Sequence, residues 1–337
     1  KFSMRKLLLL STLFLITLLK SQTINDLRKE LNQIISTKNA TVGISIKGIE
    51  DKDTLSINGN MAMPMMSVFK FHIALTVLNE VDKGKFKLNQ KFFIKKEDLH
   101  PDTWSPIRED FPNGNIDLTL DQILRYTVSH SDNNGCDFLL KILGGTDTVQ
   151  RFINKQGIKD FTIKVNEQQM SVWENLYLNT TTPLATTLLL EKFYNGKVLK
   201  KETTKYLYQI MVETSRGITW MKAGLPKGTE LAHRTGISDR NDKDLRAAMN
   251  DVGIVKLPNG KHFILSVYLK NITEEREATE KIIADIGATM DIVNLQPQVQ
   301  FNLVFIFFFQ SIKFLFVVRK IIFEHGPFSK ERKWSMR

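Results

Sequence analysis

Ser67-Val68-Phe69-Lys70 falls at the head of a long apolar stretch, Met66 to Lys83, whose length and composition predict a helix. Residues three apart on a helix share a face, so the Lys70 amine can reach the Ser67 hydroxyl. A serine hydroxyl is a weak nucleophile until an adjacent base takes its proton. The N-terminus of the same helix would add backbone N–H groups aimed at that spot. The chemistry this spacing suits is acyl transfer. Alone it is a weak signal, because chance places Ser and Lys three apart in many helices as a cap and a solvated cation.

Two further clusters strengthen it. Ser131-Asp132-Asn133 follows the apolar stretch Ile123–Val128. Such a tripeptide commonly caps a helix. As chemistry, the Ser131 hydroxyl can pass a proton to a leaving nitrogen, and the Asn133 amide can hold a substrate carbonyl. His233-Arg234-Thr235-Gly236 follows a Gly/Pro-rich loop, Gly224 to Thr229. A cation and a hydroxyl at a strand edge suit a substrate carboxylate, and Gly236 lets a ligand approach the backbone.

The elements that must position these groups are legible in outline. Thr23–Ser36 carries Ile24, Leu27, Leu31, Ile34 and Ile35 at helical spacing. Thr41–Lys47 alternates as a strand and turns through Asp51–Asp53 into Thr54–Ile57. The helix from Met66 stops at Gly84, the residue type a C-terminal cap prefers. From Leu118 onward the pattern is mostly helical, broken at Gly144-Gly145 and in the polar segment Asn166–Thr182. Val252–Leu257 and His262–Leu269 flank a Pro258-Asn259-Gly260 turn and read as a hairpin; Thr273–Met290 reads as a closing helix. Strands at both ends with helices between them predict an α/β (α+β) fold. An antiparallel sheet is built from both chain ends with flanking helices, an all-α lobe packs beside it, and the active site lies in the crevice between them.

Composition excludes several other classes. The chain has 337 residues, one cysteine and a net charge of +11, so neither an internal disulfide framework nor a Cys-based zinc site is available. Residues 1–21 carry +4 and residues 294–337 carry +5, which leaves +2 on 22–293. A body that near neutrality has no footprint for nucleic acid. No HExxH, GxGxxG or GxxxxGK[ST] string occurs. His72 and His233 are too scattered for a metal site, His130 reads as structural, and Cys136 reads as a buried thiol.

The ends are different in kind. Met4-Arg5-Lys6 followed by Leu7–Leu19 is a basic segment and an apolar run too short to span a bilayer, which predicts a signal peptide over 1–21 with Lys1–Ser3 before the start methionine. The expected product is exported, periplasmic or secreted, with 22–293 as its catalytic domain. Residues 294–337 hold an apolar run split by Lys313, and 9 of the 22 phenylalanines lie in the last 37 residues. This hydrophobic, basic tail is expected not to belong to the domain, and no stable membrane association is expected of it.

The S-x-x-K, S-D-N and R-T-G strings, in that order, are similar to the motif set of class A serine β-lactamases and penicillin-binding proteins. Residues 25–293 resemble class A β-lactamases. The third string departs from the family's K-T-G; arginine keeps the charge but not lysine's geometry. Thr103-Trp104-Ser105-Pro106 and Ser131–Cys136 resemble an extended-spectrum subgroup with a divergent omega loop. The resemblance implies a carboxylate that activates water against the acyl-enzyme. Trp173-Glu174 superficially matches the family's W-E pair, but Asn166-Glu167-Gln168-Gln169-Met170 matches the subgroup's N-E-x-x-M and lies 16 residues before Pro183. Glu167 is the choice, with Ser171 in the place of the asparagine that usually helps hold the water.

The roles implied are then these. Ser67 attacks the lactam carbonyl, Lys70 or Glu167 serves as acylation base, and Ser131 protonates the ring nitrogen. The oxyanion sits between the Ser67 and Ile237 N–H groups. Asn133, Arg234, Thr235, Gly236 and Ser238 bind substrate, and Trp104 walls the crevice. The partner is a small β-lactam; no metal or cofactor is required, and a monomer is expected. The rivals are a transpeptidase or carboxypeptidase that deacylates slowly and a receptor domain that stays acylated.

Overall fold

The computed structural model describes residues 24–258 and 260–290. The signal-peptide expectation, the tail after Val293 and the turn residue Asn259 lie outside the described residues. Helix α1 covers 24–35 and leads into β1 (Thr41–Gly48) and β2 (Thr54–Ile57). A two-residue strand, β3 (Met63–Pro64), precedes α2 (Phe69–Asp82). The middle contains β4 (Lys91–Ile94), α3 (Pro106–Asp110), β5 (Ile116–Thr119), α4 (Leu120–Ser129), α5 (Asn133–Leu143) and α6 (Thr146–Lys155). Then follow β6 (Phe161–Thr162), β7 (Thr180–Thr181), α7 (Pro183–Tyr194), α8 (Lys201–Val212) and α9 (Met221–Gly224). The chain closes with β8 (Glu230–Ile237), β9 (Arg246–Lys256), β10 (His262–Ile272) and α10 (Arg276–Ala288).

The main sheet runs β2-β1-β10-β9-β8, and every neighbouring pair is antiparallel. Its strands come from the two ends of the described chain, as the alternating patterns at both ends predict. Period-2 alternation sends Val42, Ile44 and Ile46 of β1 and Leu265, Val267 and Leu269 of β10 to one face. There they meet Leu27 and Leu31 of α1 and Ile282, Ile283 and Ile286 of α10. Val252, Ile254, Ile264 and Tyr268 face the other way, into the core of the helical lobe. Helix α7 is bound to that face through Thr186 Oγ1 and Tyr268 OH at 2.8 Å and through Thr187 Oγ1 and Ser266 Oγ at 3.0 Å.

Helix α2 is buried along its first ten residues, Phe69 to Leu78. A helix apolar on all sides belongs inside, and α4, α5, α6 and α8 surround it. It is shorter than the expected Met66–Lys83. Met66–Val68 forms a 3-10 turn, entered with Met66 at φ +46°. At the other end Gly84 takes φ +79°, and Gly84 N–H and Lys85 N–H donate to Val81 O and Glu80 O, the capping geometry that glycine permits.

The hairpin is longer than its apolar pattern. β9 begins at Arg246, because Asn250 and Asp251 are buried polar residues with partners on other strands: Asn250 Nδ2 donates to Pro64 O at 2.8 Å, and Asp251 meets His233. The closing helix starts at Arg276, because Thr273 N–H donates to Asn39 O and the Glu274 carboxylate accepts from Asn39 N–H. The polar segment after Val165 contains two 3-10 turns, Gln169–Ser171 and Trp173–Tyr177. Its end, β7, lies between β3 and β6 in a small sheet. That pairing brings the segment to Ser67, since β3 is three residues upstream of it.

Candidate active site

Ser67 sits on the 3-10 turn and Lys70 in the first turn of α2. The turn is fixed from below by Asn250, whose Nδ2 reaches both Pro64 O and Met65 O. Lys70 is fully buried. Its Nζ lies 2.9 Å from Ser67 Oγ, 2.9 Å from Ser131 O, 3.3 Å from Ser131 Oγ and 2.5 Å from Asn133 Oδ1. A buried ammonium without a counter-ion is costly; here Glu167 Oε1 stands 2.7 Å away. The same oxygen is 3.5 Å from Ser67 Oγ. Five polar groups therefore converge on one nitrogen.

Ser131 occupies the left-handed region at φ +64°, a conformation that non-glycine residues hold only when their surroundings impose it. Asp132 imposes it. This buried carboxylate caps α5 through Gly135 N–H at 2.7 Å and also accepts from Ile107 N–H and from Ser105. Burial raises its pKa, and those donors oppose the rise. Asn133 completes the turn, donating its Nδ2 to Thr103 Oγ1 at 2.6 Å.

β8 is the edge strand of the sheet, and its free edge faces Ser67. A Cβ added to Gly236 would stand 2.6 Å from Met65 O and 3.1 Å from Ser67 N. Ser238 N–H donates inward to Ala248 O. Donors alternate along a strand, so Ile237 N–H points to the free edge, beside Ser67 N–H. Ser67, Ser131, Asn133, Glu167, Thr235 and Gly236 border one cavity of about 1050 Å³. Trp104, 43% exposed, stands at its wall with Nε1 donating to His130 O at 2.9 Å.

Arg234 and Ser238 stand differently with respect to the cavity. Arg234 is fully enclosed and does not border the cavity. Its Nε donates to Ser67 O at 3.1 Å and its Nη2 to Ser131 Oγ at 2.5 Å, and burial lowers its pKa to about 10. Ser238 borders the cavity, but its hydroxyl donates to Asp239 O and accepts from Ala247 N–H. Ser171 likewise spends its hydroxyl on Gln168 O at 2.8 Å. Glu174 is exposed and lies off the cavity wall. His130 meets Ser215 Oγ at 3.1 Å, and Cys136 is a buried thiol whose pKa burial raises.

Three contributors escaped the motif reading. Asp137 accepts from Glu167 N–H at 2.7 Å and Gln168 N–H at 3.0 Å and so holds the Glu167 turn. Burial first, and then the Glu167 charge, raise its pKa to about 6. Its spacing of four from Asn133 put it on the same helical face, a signal that was present. Asn179, buried, accepts from Lys164 N–H and Val165 N–H and donates to Val165 O, and its own carbonyl accepts Met65 N–H. Arg216 lies over the Trp104 ring, its guanidinium carbon 4.5 Å from the ring centre.

A sheet made from both ends of the described chain, a helical lobe around the buried α2 and a Ser-Lys pair between them match the β-lactamase and penicillin-binding class of serine enzymes. Comparison with known proteins narrows this. The profile of the "Beta-lactamase enzyme family" matches residues 26–295. The chain is 47% identical to beta-lactamase VEB-1 of Pseudomonas aeruginosa over 284 residues, 83% of this chain and 94% of that one. It is 36% identical to the extended-spectrum beta-lactamase PER-1 of Pseudomonas aeruginosa over 78% of this chain and 85% of that one. The crystal structure of the TLA-1 extended-spectrum beta-lactamase matches with a TM-score of 0.78 at 45% identity, covering 80% of this chain and 98% of that one. The chain belongs to the β-lactamase enzyme family, as a class A serine β-lactamase.

Proposed function

We propose that Ser67 opens the β-lactam ring through an acyl-enzyme and that Glu167 activates the water that releases it. The observation that carries this reading is Lys70 Nζ, 2.9 Å from Ser67 Oγ and 2.7 Å from Glu167 Oε1. The Ser67 proton leaves through that pair as Oγ bonds to the lactam carbonyl carbon. The oxyanion is received by the Ser67 and Ile237 N–H groups. Ser131, bridged to Lys70 and Arg234, delivers a proton to the ring nitrogen as the C–N bond breaks. Water then attacks the ester from the Glu167 side. Glu167 takes its proton, and Ser67 Oγ leaves with a proton returned through Lys70.

Asn133 Oδ1 is committed to Lys70, so its amide orients that ammonium. Thr235 and Gly236 line the substrate along the free edge of β8. Arg234 acts through Ser131 and the Ser67 carbonyl. The substrate class is penicillins and cephalosporins. The extended-spectrum relatives and the cavity volume of about 1050 Å³ support a bulky acyl side chain. The expected chain is exported after removal of 1–21, acts as a monomer with 22–293 as its domain, confers antibiotic resistance, and does not need 294–337.

The test is a chromogenic cephalosporin mixed with the purified protein and followed by absorbance and intact mass. Many turnovers without a lasting adduct support the reading, and Ser67→Ala must abolish them. A single burst with a persistent adduct on Ser67 would assign a penicillin-binding protein or receptor instead. Neither turnover nor adduct would overturn serine acylation.

A further inference from the structure

We infer that Arg216, held on Trp104, is the residue that receives the substrate carboxylate; this rests on the β-lactam reading above. A β-lactam carries that carboxylate beside the ring nitrogen, so its receptor must lie near Ser131 and Thr235. Arg234 would be the natural choice from sequence, but it is enclosed and off the cavity wall; its Nε and Nη2 are engaged by Ser67 O and Ser131 Oγ, and its Nη1, without a partner, is buried away from the cavity surface.

The segment Ser215–Gly217 lies between the two residues in question. On one side Ser215 N–H donates to Ser129 O at 3.0 Å, and Ser215 Oγ meets His130 Nδ1, which fastens the segment to the turn that carries Ser131. On the other side, a Cβ on Gly217, which has φ +72°, would stand 2.6 Å from Thr235 Cγ2. The backbone of Arg216 is therefore held between the turn that carries Ser131 and the strand that carries Thr235. It borders the cavity, and among the described residues no carboxylate forms an ion pair with it. Its contact is the face of Trp104, 4.5 Å away. Stacking restrains a guanidinium without using up its N–H donors. A restrained, unpaired guanidinium on a cavity wall is ready for a bidentate carboxylate. Arg216 also lies close enough to Arg234 for its charge to add to the burial that depresses the Arg234 pKa.

The experiment compares a chromogenic cephalosporin with its neutral methyl ester on the wild-type protein and on Arg216→Gln, Arg216→Lys and Trp104→Ala. The wild type should favour the acid by roughly 10- to 100-fold in kcat/KM, the scale of a charge-assisted hydrogen bond. Arg216→Gln should lose most of that preference through a raised KM for the acid, with each variant's own kcat/KM for the ester as the reference. Arg216→Lys should restore part of it, and Trp104→Ala should weaken it. Full acid preference in Arg216→Gln would overturn the inference and leave the β-lactam reading standing. Equal wild-type hydrolysis of acid and ester would also overturn it. Wild-type hydrolysis of neither would remove the β-lactam reading and this inference together.

Discussion

The Glu167 carboxylate stands 2.7 Å from Lys70 Nζ, the same nitrogen that holds Asn133 Oδ1 at 2.5 Å. One proton can therefore pass among Ser67, Lys70 and Glu167, the groups to which the proposed mechanism gives acylation and deacylation. Because Glu167 belongs to a separate turn from Ser67, its removal should affect the two steps unequally.

Glu167→Gln keeps the shape of the side chain and removes its basicity. Deacylation should slow by about 10²- to 10⁴-fold, the usual contribution of a general base. An ester on Ser67 should persist for minutes in intact mass spectra. Rapid turnover by this variant would move the base elsewhere.

Gly236→Ala places a methyl group 2.6 Å from Met65 O and 3.1 Å from Ser67 N. Backbone atoms must shift, and the shift displaces the Ser67 N–H from the oxyanion position. Acylation should fall by roughly 10²- to 10³-fold, as when one oxyanion donor is lost. Stopped-flow acylation rates with unchanged far-ultraviolet dichroism would check this; near-normal rates would put the oxyanion elsewhere.

Asn179→Ala leaves Lys164 N–H, Val165 N–H and Val165 O without their side-chain partner. Buried groups left unpaired cost about 1–3 kcal/mol each. Urea unfolding should show a loss of at least about 2 kcal/mol. Turnover should fall as well, because the same residue joins the Glu167 segment to Met65. A variant as stable as the wild type would refute the role.

Asp137 is held at about 6 rather than its ordinary 3.8. Between those two pH values the folded chain binds more protons than the unfolded chain, so this group's contribution to stability declines as pH rises from about 4 to 6 and is level above that. Asp137→Asn removes the ionisation and should flatten that part of the melting-temperature profile. A wild-type minus variant difference that stays constant from pH 4 to 7 would contradict it.

What the sequence determined by itself is local or periodic. The three-residue spacing of Ser67 and Lys70, the stop at Gly84 and the alternation of β1 and β10 follow from backbone geometry, which repeats over a few residues. The assembly of the sheet from both ends follows because alternating strands must bury a common face. The choice of Glu167 over Glu174 came from a resemblance, and the structure places Glu167 at Lys70 and Glu174 at the surface.

The tertiary structure decided what depends on long-range closure. The apolar pattern could not show β9 starting at Arg246, because Asn250 and Asp251 are buried only by virtue of partners on β3 and β8. Nor could it show that Arg234 is enclosed while Arg216, outside every motif, faces the cavity. Both carry the same side chain. Which one is desolvated depends on the strand, turn and helix that surround it, and those surroundings come from distant parts of the chain.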